Sequence, residues 1–214
     1  MNSKDEQFLS ELKFKLLNHI PFAFSRWGDG EWFTVEQNKP GEANCDGNTY
    51  YKDLGEKLKN IALVPQPYYM GHQHGTNNKI YPQNWVNSDI LHDLSIERGL
   101  NEIFDVFNQI HIVYIGNESL SSLPFINEFI EIPYNNVWTQ YKEVLNLIKS
   151  KIETGKHKVF LFSAGMASNA FIHDLCQYDK NNTFMDASSA FDPYVGRNSR
   201  GYHNRLNNIS KIYK

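Results

Sequence analysis

Short apolar runs alternate with segments of helical period along this chain, and that alternation restricts its possible folds more than any other feature. FAFSRW, IHIVYIGNE, KVFLFS and TFMD are compact and rich in aliphatic and aromatic residues, as strands covered on both faces are. Between them lie amphipathic stretches. Residues 5–18 place Phe8, Leu9, Leu12, Leu16 and Leu17 at helical spacing, residues 49–63 do so with Leu54, Leu58, Ile61 and Leu63, and residues 138–152 with Val144, Leu145 and Ile148. Residues 89–107 read as one further helix, and a short strand is expected near 129–132. The segment PQPYYMGHQHGTNN is dense in Gly, Pro and Asn and reads as a loop lining a site.

Strands that alternate with helices imply an α/β fold, Rossmann-like, with a mostly parallel sheet and helices on both faces. No Pro-, Gly- or Ser-rich linker and no internal repeat divides the 214 residues, so a single domain is expected. In such a sheet ligands sit outside the carboxyl ends of the strands. The polar residues gather at those predicted ends: Asp29 and Glu31, then Gly116 and Asn117, then Ser163, Ala164 and Gly165, then 186–189.

Composition excludes several functions. Net charge is −3 with no concentrated Lys/Arg stripe, so nucleic acid is not an expected partner. No apolar run is long enough for a membrane span. The first residues, MNSKDEQFLSELKFKLL, have no apolar core or cleavage site of a secretory signal, so a cytoplasmic location is expected. Cys45 and Cys176 are far apart and outside any metal-ligand spacing, and read as reduced thiols. His72 and His74 in GHQHG are spaced as two metal ligands can be, but no third ligand follows nearby.

The segment FSRWGDGEW bears most directly on chemistry. If it is extended beyond the strand, Asp29 and Glu31 point the same way, while Gly28 and Gly30 keep the backbone clear. Two hard oxygen ligands suit Mn²⁺ or Mg²⁺, which bind through one or two carboxylates plus a substrate's phosphates. The alternative is a solvated Asp-Gly turn. Downstream, SAGMAS opens a helix whose unpaired N–H groups favour an anion, with Ser163, Ala164 and Gly165 as the cradle; close packing of strand on helix is the competing reading. A phosphate there could not tolerate bare carboxylates. Two unit charges about 4 Å apart interact by about 4 kcal/mol at an effective dielectric of about 20, so a divalent cation is required between them. The tail AFDPYVGRNSRGYH adds Asp192 and His203 as candidate proton acceptors and Arg197 and Arg200 as phosphate clamps. A salt-bridged surface loop is the plainer reading of the same residues.

Taken together, SRWGDGEW, VFLFSAGMASNAFIHDL and TFMDASSAFDP resemble segments of the GT-D type of glycosyltransferase, over most of the chain. The resemblance implies a Rossmann-like fold, a UDP-sugar donor and Mn²⁺. It implies that Asp29 and Glu31 serve metal and diphosphate, and that Ser163, Ala164 and Gly165 line the donor pocket. SAGMAS departs from the Gly-Pro loop of many members. On this reading Arg26 steadies the acidic loop or the donor, Gly28, Gly30, Asn117 and Arg200 complete the donor site, and Asp192 or His203 supplies the base. The expected function is transfer of a sugar from a nucleotide-diphosphate donor to a hydroxyl of a glycan or glycoprotein. A noncatalytic nucleotide- or glycan-binding module and a metal-dependent phosphohydrolase are the alternatives.

Overall fold

The computed structural model describes residues 1–37, 39–44, 47–73 and 84–205. Cys45 and His74, with the rest of the expected 65–78 loop after His74, lie outside them. Among the described residues seven parallel strands form one sheet in the order β3-β2-β1-β7-β6-β4-β5. They are β1 (Ala23–Trp27), β2 (Tyr69–His72), β3 (Trp85–Asn87), β4 (Ile112–Gly116), β5 (Glu128–Glu131), β6 (Val159–Phe162) and β7 (Thr183–Asp186). Every residue of β4, β6 and β7 is buried, which is why these strands are continuous apolar runs rather than alternating ones.

Helices cover both faces. One face holds α2 (Asp29–Val35), α3 (Lys52–Leu63), α6 (Tyr141–Ser150) and α7 (Ala167–Tyr178) around Trp27, Phe160, Phe162 and Phe171. The other holds α1 (Ser3–Leu17), α4 (Ile90–Glu97) and α5 (Asn101–Phe107) around Phe24, Tyr114, Leu161 and Phe191. Burying each such aromatic or aliphatic side chain contributes about 1.5–3 kcal/mol, so the two layers together hold the sheet from both sides. Connections through α2 and α3, α6 and α7 step toward β3 over the first face, and those after β3 and β4 step toward β5 over the second, as right-handed crossovers require.

Two expectations change. The 89–107 helix is broken into α4 and α5 by Gly99, whose φ of +78° is left-handed and ends the first helix. The middle of the 65–78 segment is not loop but strand β2, with Met70 and Gly71 buried. A Cβ on Gly71 would stand 2.7 Å from Ser88 Cα, so this glycine permits close backbone packing.

Candidate active-site cleft

The acidic motif is a helix start. Gly28, in extended conformation, caps α2, and its N–H donates to Glu31 Oε2 at 2.8 Å. Glu31 therefore reaches back to cap its own helix, which removes one orphan donor. The extended arrangement expected for Asp29 and Glu31 is thus corrected: at 3.6 residues per turn, side chains two apart diverge by about 200° rather than aligning. Asp29 is exposed, its Oδ1 accepting the Gly30 N–H at 2.9 Å, whereas Glu31 is 7% exposed. Both still face the same cleft.

Arg26 anchors the floor. It donates to Asp89 Oδ1 from Nη2 at 2.8 Å and from Nε at 3.3 Å, tying the end of β1 to the start of α4. A Cβ on Gly28 would lie 3.2 Å from Arg26 Nη1 and 3.3 Å from Glu31 Oε2, so the glycine makes room for this pair. Burial pushes the Glu31 carboxyl up, and the Arg26 charge opposes it. Asp186, at the end of β7, is pushed up to about 7 by burial, with Arg26 opposing and Glu31 reinforcing. Its Oδ1 accepts the Ser188 N–H at 2.8 Å. His92 is brought down to about 3 by burial and then by Arg26, so it is neutral at physiological pH. Burial works against the Asp89 charge, yet Arg26 holds its carboxyl below the usual range.

The small-residue loop after β6 occupies the middle of the carboxyl edge. Gly165 has φ +57°, which turns the chain into α7. The Ser163 hydroxyl is within 2.7 Å of Tyr114 Oη and donates to the Ser188 carbonyl, so it ties the ends of β4 and β6 to the loop after β7. The Ala164 N–H donates to Ser168 Oγ at 3.2 Å, and Ala164 is buried. Of the three expected cradle residues, Ser163 and Gly165 line the cleft.

The tail after β7 folds over this edge. Asp192 is buried, accepts a hydrogen bond from Ser199 Oγ, and lies 3.8 Å from Arg197 Nη1. Arg197 Nη1 also donates to Asn117 Oδ1 at 2.8 Å and Ser119 Oγ at 2.9 Å. Arg200 Nε reaches Ser189 Oγ at 3.4 Å. His203 is buried behind it, its Nδ1 accepting the Arg200 N–H at 3.3 Å; burial lowers its pKa, and it does not line the cleft.

The result is one cleft of about 660 Å³ that gathers Arg26, Asp29, Gly30, Glu31, Asn117, Ser163, Gly165, Asp192 and Arg200, a volume suited to a small ligand. Gly28 and Ala164 support it from beneath. Asp89, His92, Asp186, Asn44 and Asn48 also line it, the Asn48 N–H donating to Asn44 Oδ1 at 2.9 Å, and the sequence reading gave none of these five a role. Asp186 alone was signalled, by its place at a strand end. Among the described residues no three His, Cys, Asp or Glu side chains form a metal cage. The donor set is hard oxygen with exposed Asp29 at its mouth, which fits an ion that takes most of its ligands from water and phosphate.

Fold and cleft together define an α/β protein of Rossmann-like architecture with its site at the carboxyl edge of a parallel sheet. Two solved structures are similar to it. One is a selenomethionine-substituted structure of domain of unknown function 1792, with a TM-score of 0.62 and 12% identity over 95% of this chain and 92% of that one. The other is a structure of the same domain described as highly conserved and as having a distinct glycosyltransferase fold, with a TM-score of 0.61 and 12% identity over 91% and 87%. No protein-family model matches the chain, and no curated protein does. The fold implied by the resemblance in the sequence is the fold found.

Proposed function

We propose that this protein is a glycosyltransferase that moves a sugar from a nucleotide-diphosphate donor, a UDP-sugar in the first instance, to a hydroxyl of a glycan or glycoprotein. The observation that carries the reading is the convergence of the α2 start, the start of α7, and the Asp186 and Asp192 carboxyls in one cleft, on a fold like that described as a glycosyltransferase fold. The diphosphate lies at the N-terminus of α7, where backbone N–H groups and the helix dipole favour an anion, and Arg200 closes over it from the tail. Arg26, committed to Asp89, positions α2 rather than binding donor. Asp29, with Glu31 behind it, would hold Mn²⁺ or Mg²⁺. When bound, such an ion neutralises charge on the departing diphosphate.

In the transfer, the acceptor oxygen forms a bond to the anomeric carbon as the bond from that carbon to the diphosphate oxygen breaks, and the electron pair leaves with the nucleotide. Asp192 takes the hydroxyl proton. Ser199 and Arg197 orient it. His203 belongs to the support of Arg200.

Calorimetric titration of UDP with and without Mn²⁺ is the direct test: tighter binding with the ion is expected, and equal affinity removes the metal from the account. Failure of every nucleotide sugar in a panel to bind would overturn the reading. Rapid release of phosphate from simple nucleotides would identify a phosphohydrolase instead.

A further inference from the structure

A second groove opens beside the cleft, between the 3₁₀ turn that follows β4 (Glu118–Ser122) and the segment after β5. Its volume is about 970 Å³, and it is lined by Asn117, Glu118, Glu131, Tyr134, Gln140 and Arg197 among others. Asn117, Tyr134 and Arg197 line the cleft as well, so the two spaces are continuous. Tyr134 is 57% exposed, so part of its ring is open to a ligand at the junction of the two spaces. The Arg197 guanidinium stands over this ring at 4.6 Å from its centre and is itself fixed by Asn117 and Ser119. The ring is therefore held in one orientation at the junction.

Beside the apolar Ile132 and Pro133, the rest of the groove is hydrogen-bonding and mostly acidic. Glu118, Glu131 and Gln140 are exposed along it. Carboxylates repel a phosphate, and planar carboxylate or amide groups accept from and donate to adjacent hydroxyls. A neutral polyhydroxylated ligand with one apolar face matches this surface; a nucleotide diphosphate does not. From the held ring, the acidic polar walls and the opening into the cleft, we infer that this groove is a saccharide-binding subsite, with a sugar ring stacked on Tyr134 and its hydroxyls on Glu131 and Gln140. The inference deepens the proposed function by assigning the acceptor side of the reaction to a neutral glycan that enters past β5, with Arg197 separating it from the donor.

Saturation-transfer NMR with methyl β-glucoside, methyl β-galactoside and methyl β-N-acetylglucosaminide tests the subsite without a known acceptor. Saturable binding of at least one of them is expected. Tyr134→Ala should weaken it about tenfold, or 1.4 kcal/mol, Tyr134→Phe should retain it, and Glu131→Ala should weaken it while leaving UDP affinity unchanged. Absence of saturable binding to the unmodified protein, or equal binding by Tyr134→Ala, overturns the subsite whatever UDP does. Loss of UDP binding in the unmodified protein, with saccharide binding intact, overturns the proposed donor and leaves the subsite standing.

Discussion

At the residue scale, two carboxylates that look equivalent in the sequence have separate tasks. Glu31 is buried and caps α2 through the Gly28 N–H, so Glu31→Ala should destabilise the protein by about 1–3 kcal/mol, the cost of a lost cap and an orphaned donor. Asp29 is exposed and bonds only to its neighbour's N–H among the contacts described, so Asp29→Ala should change stability by less than about 1 kcal/mol while removing the metal dependence of UDP binding. Urea unfolding paired with calorimetry separates the two; equal stability losses would show that the cap is not what fixes Glu31. Asp186 makes a pH prediction. Its folded pKa is raised to about 7 from 3.8, so between those values the folded state holds a proton that the unfolded state has lost, and its contribution to stability falls as pH rises from about 4 to about 7. Asp186→Asn should therefore gain stability over the unmodified protein at pH 8, by a few kcal/mol at most, with the gain vanishing near pH 4. Melting temperatures of both proteins across that range would reveal it, and a constant difference would refute it.

At the scale of elements, the position of α2 depends on one glycine in α3. A Cβ on Gly55 would stand 2.3 Å from the Thr34 carbonyl oxygen and 2.2 Å from Gln37 Nε2, and the carbonyl is backbone that cannot swing aside. Gly55→Ala should force the two helices apart at a cost of about 1–3 kcal/mol and weaken UDP binding, because α2 presents Asp29 to the cleft. If the urea midpoint fell with donor affinity intact, the helix contact would matter to stability alone. Elements also show what the sequence could reveal. Strands β4 and β6 are legible because burial on both faces leaves an uninterrupted apolar run, and β1 and β7 because a short apolar run leads into polar residues at the strand end. Strand β2 is not, since four residues, YMGH, with a glycine inside and Pro67 just before, give no period to read. Helix α2 reads as a loop because of Gly28 at its cap and Gly30 within it, although Glu31 three places after Gly28, with Trp32 and Val35 beyond, is a helix-start pattern. The partnership of Arg26 with Asp89 joins residues 63 positions apart, and only the folded sheet brings them together.

At the scale of the whole molecule, the cleft exists because adjacent strands send the chain to opposite faces. After β1 and β6 it enters α2 and α7 on one face; after β4 and β7 it continues through Leu120 and Phe191 on the other. A crevice must open between such exits, and it opens in the centre of the sheet order, along β1, β7, β6 and β4. This placement makes the site a clamp between the two helical layers, so a ligand seated there should stabilise the fold globally and not only a loop. A ligand at 100 times its dissociation constant contributes about 2.7 kcal/mol, and for a chain of 214 residues each kcal/mol raises the melting temperature by about 2–4 °C. UDP with Mn²⁺ at that saturation should therefore raise it by about 5–10 °C, and Asp29→Ala should start from the same ligand-free temperature yet gain less. An equal gain with the metal chelated would show that the donor is held by the α7 start and the tail alone. The acid pair at α2 would then be a helix cap beside the site, with no part in holding the diphosphate.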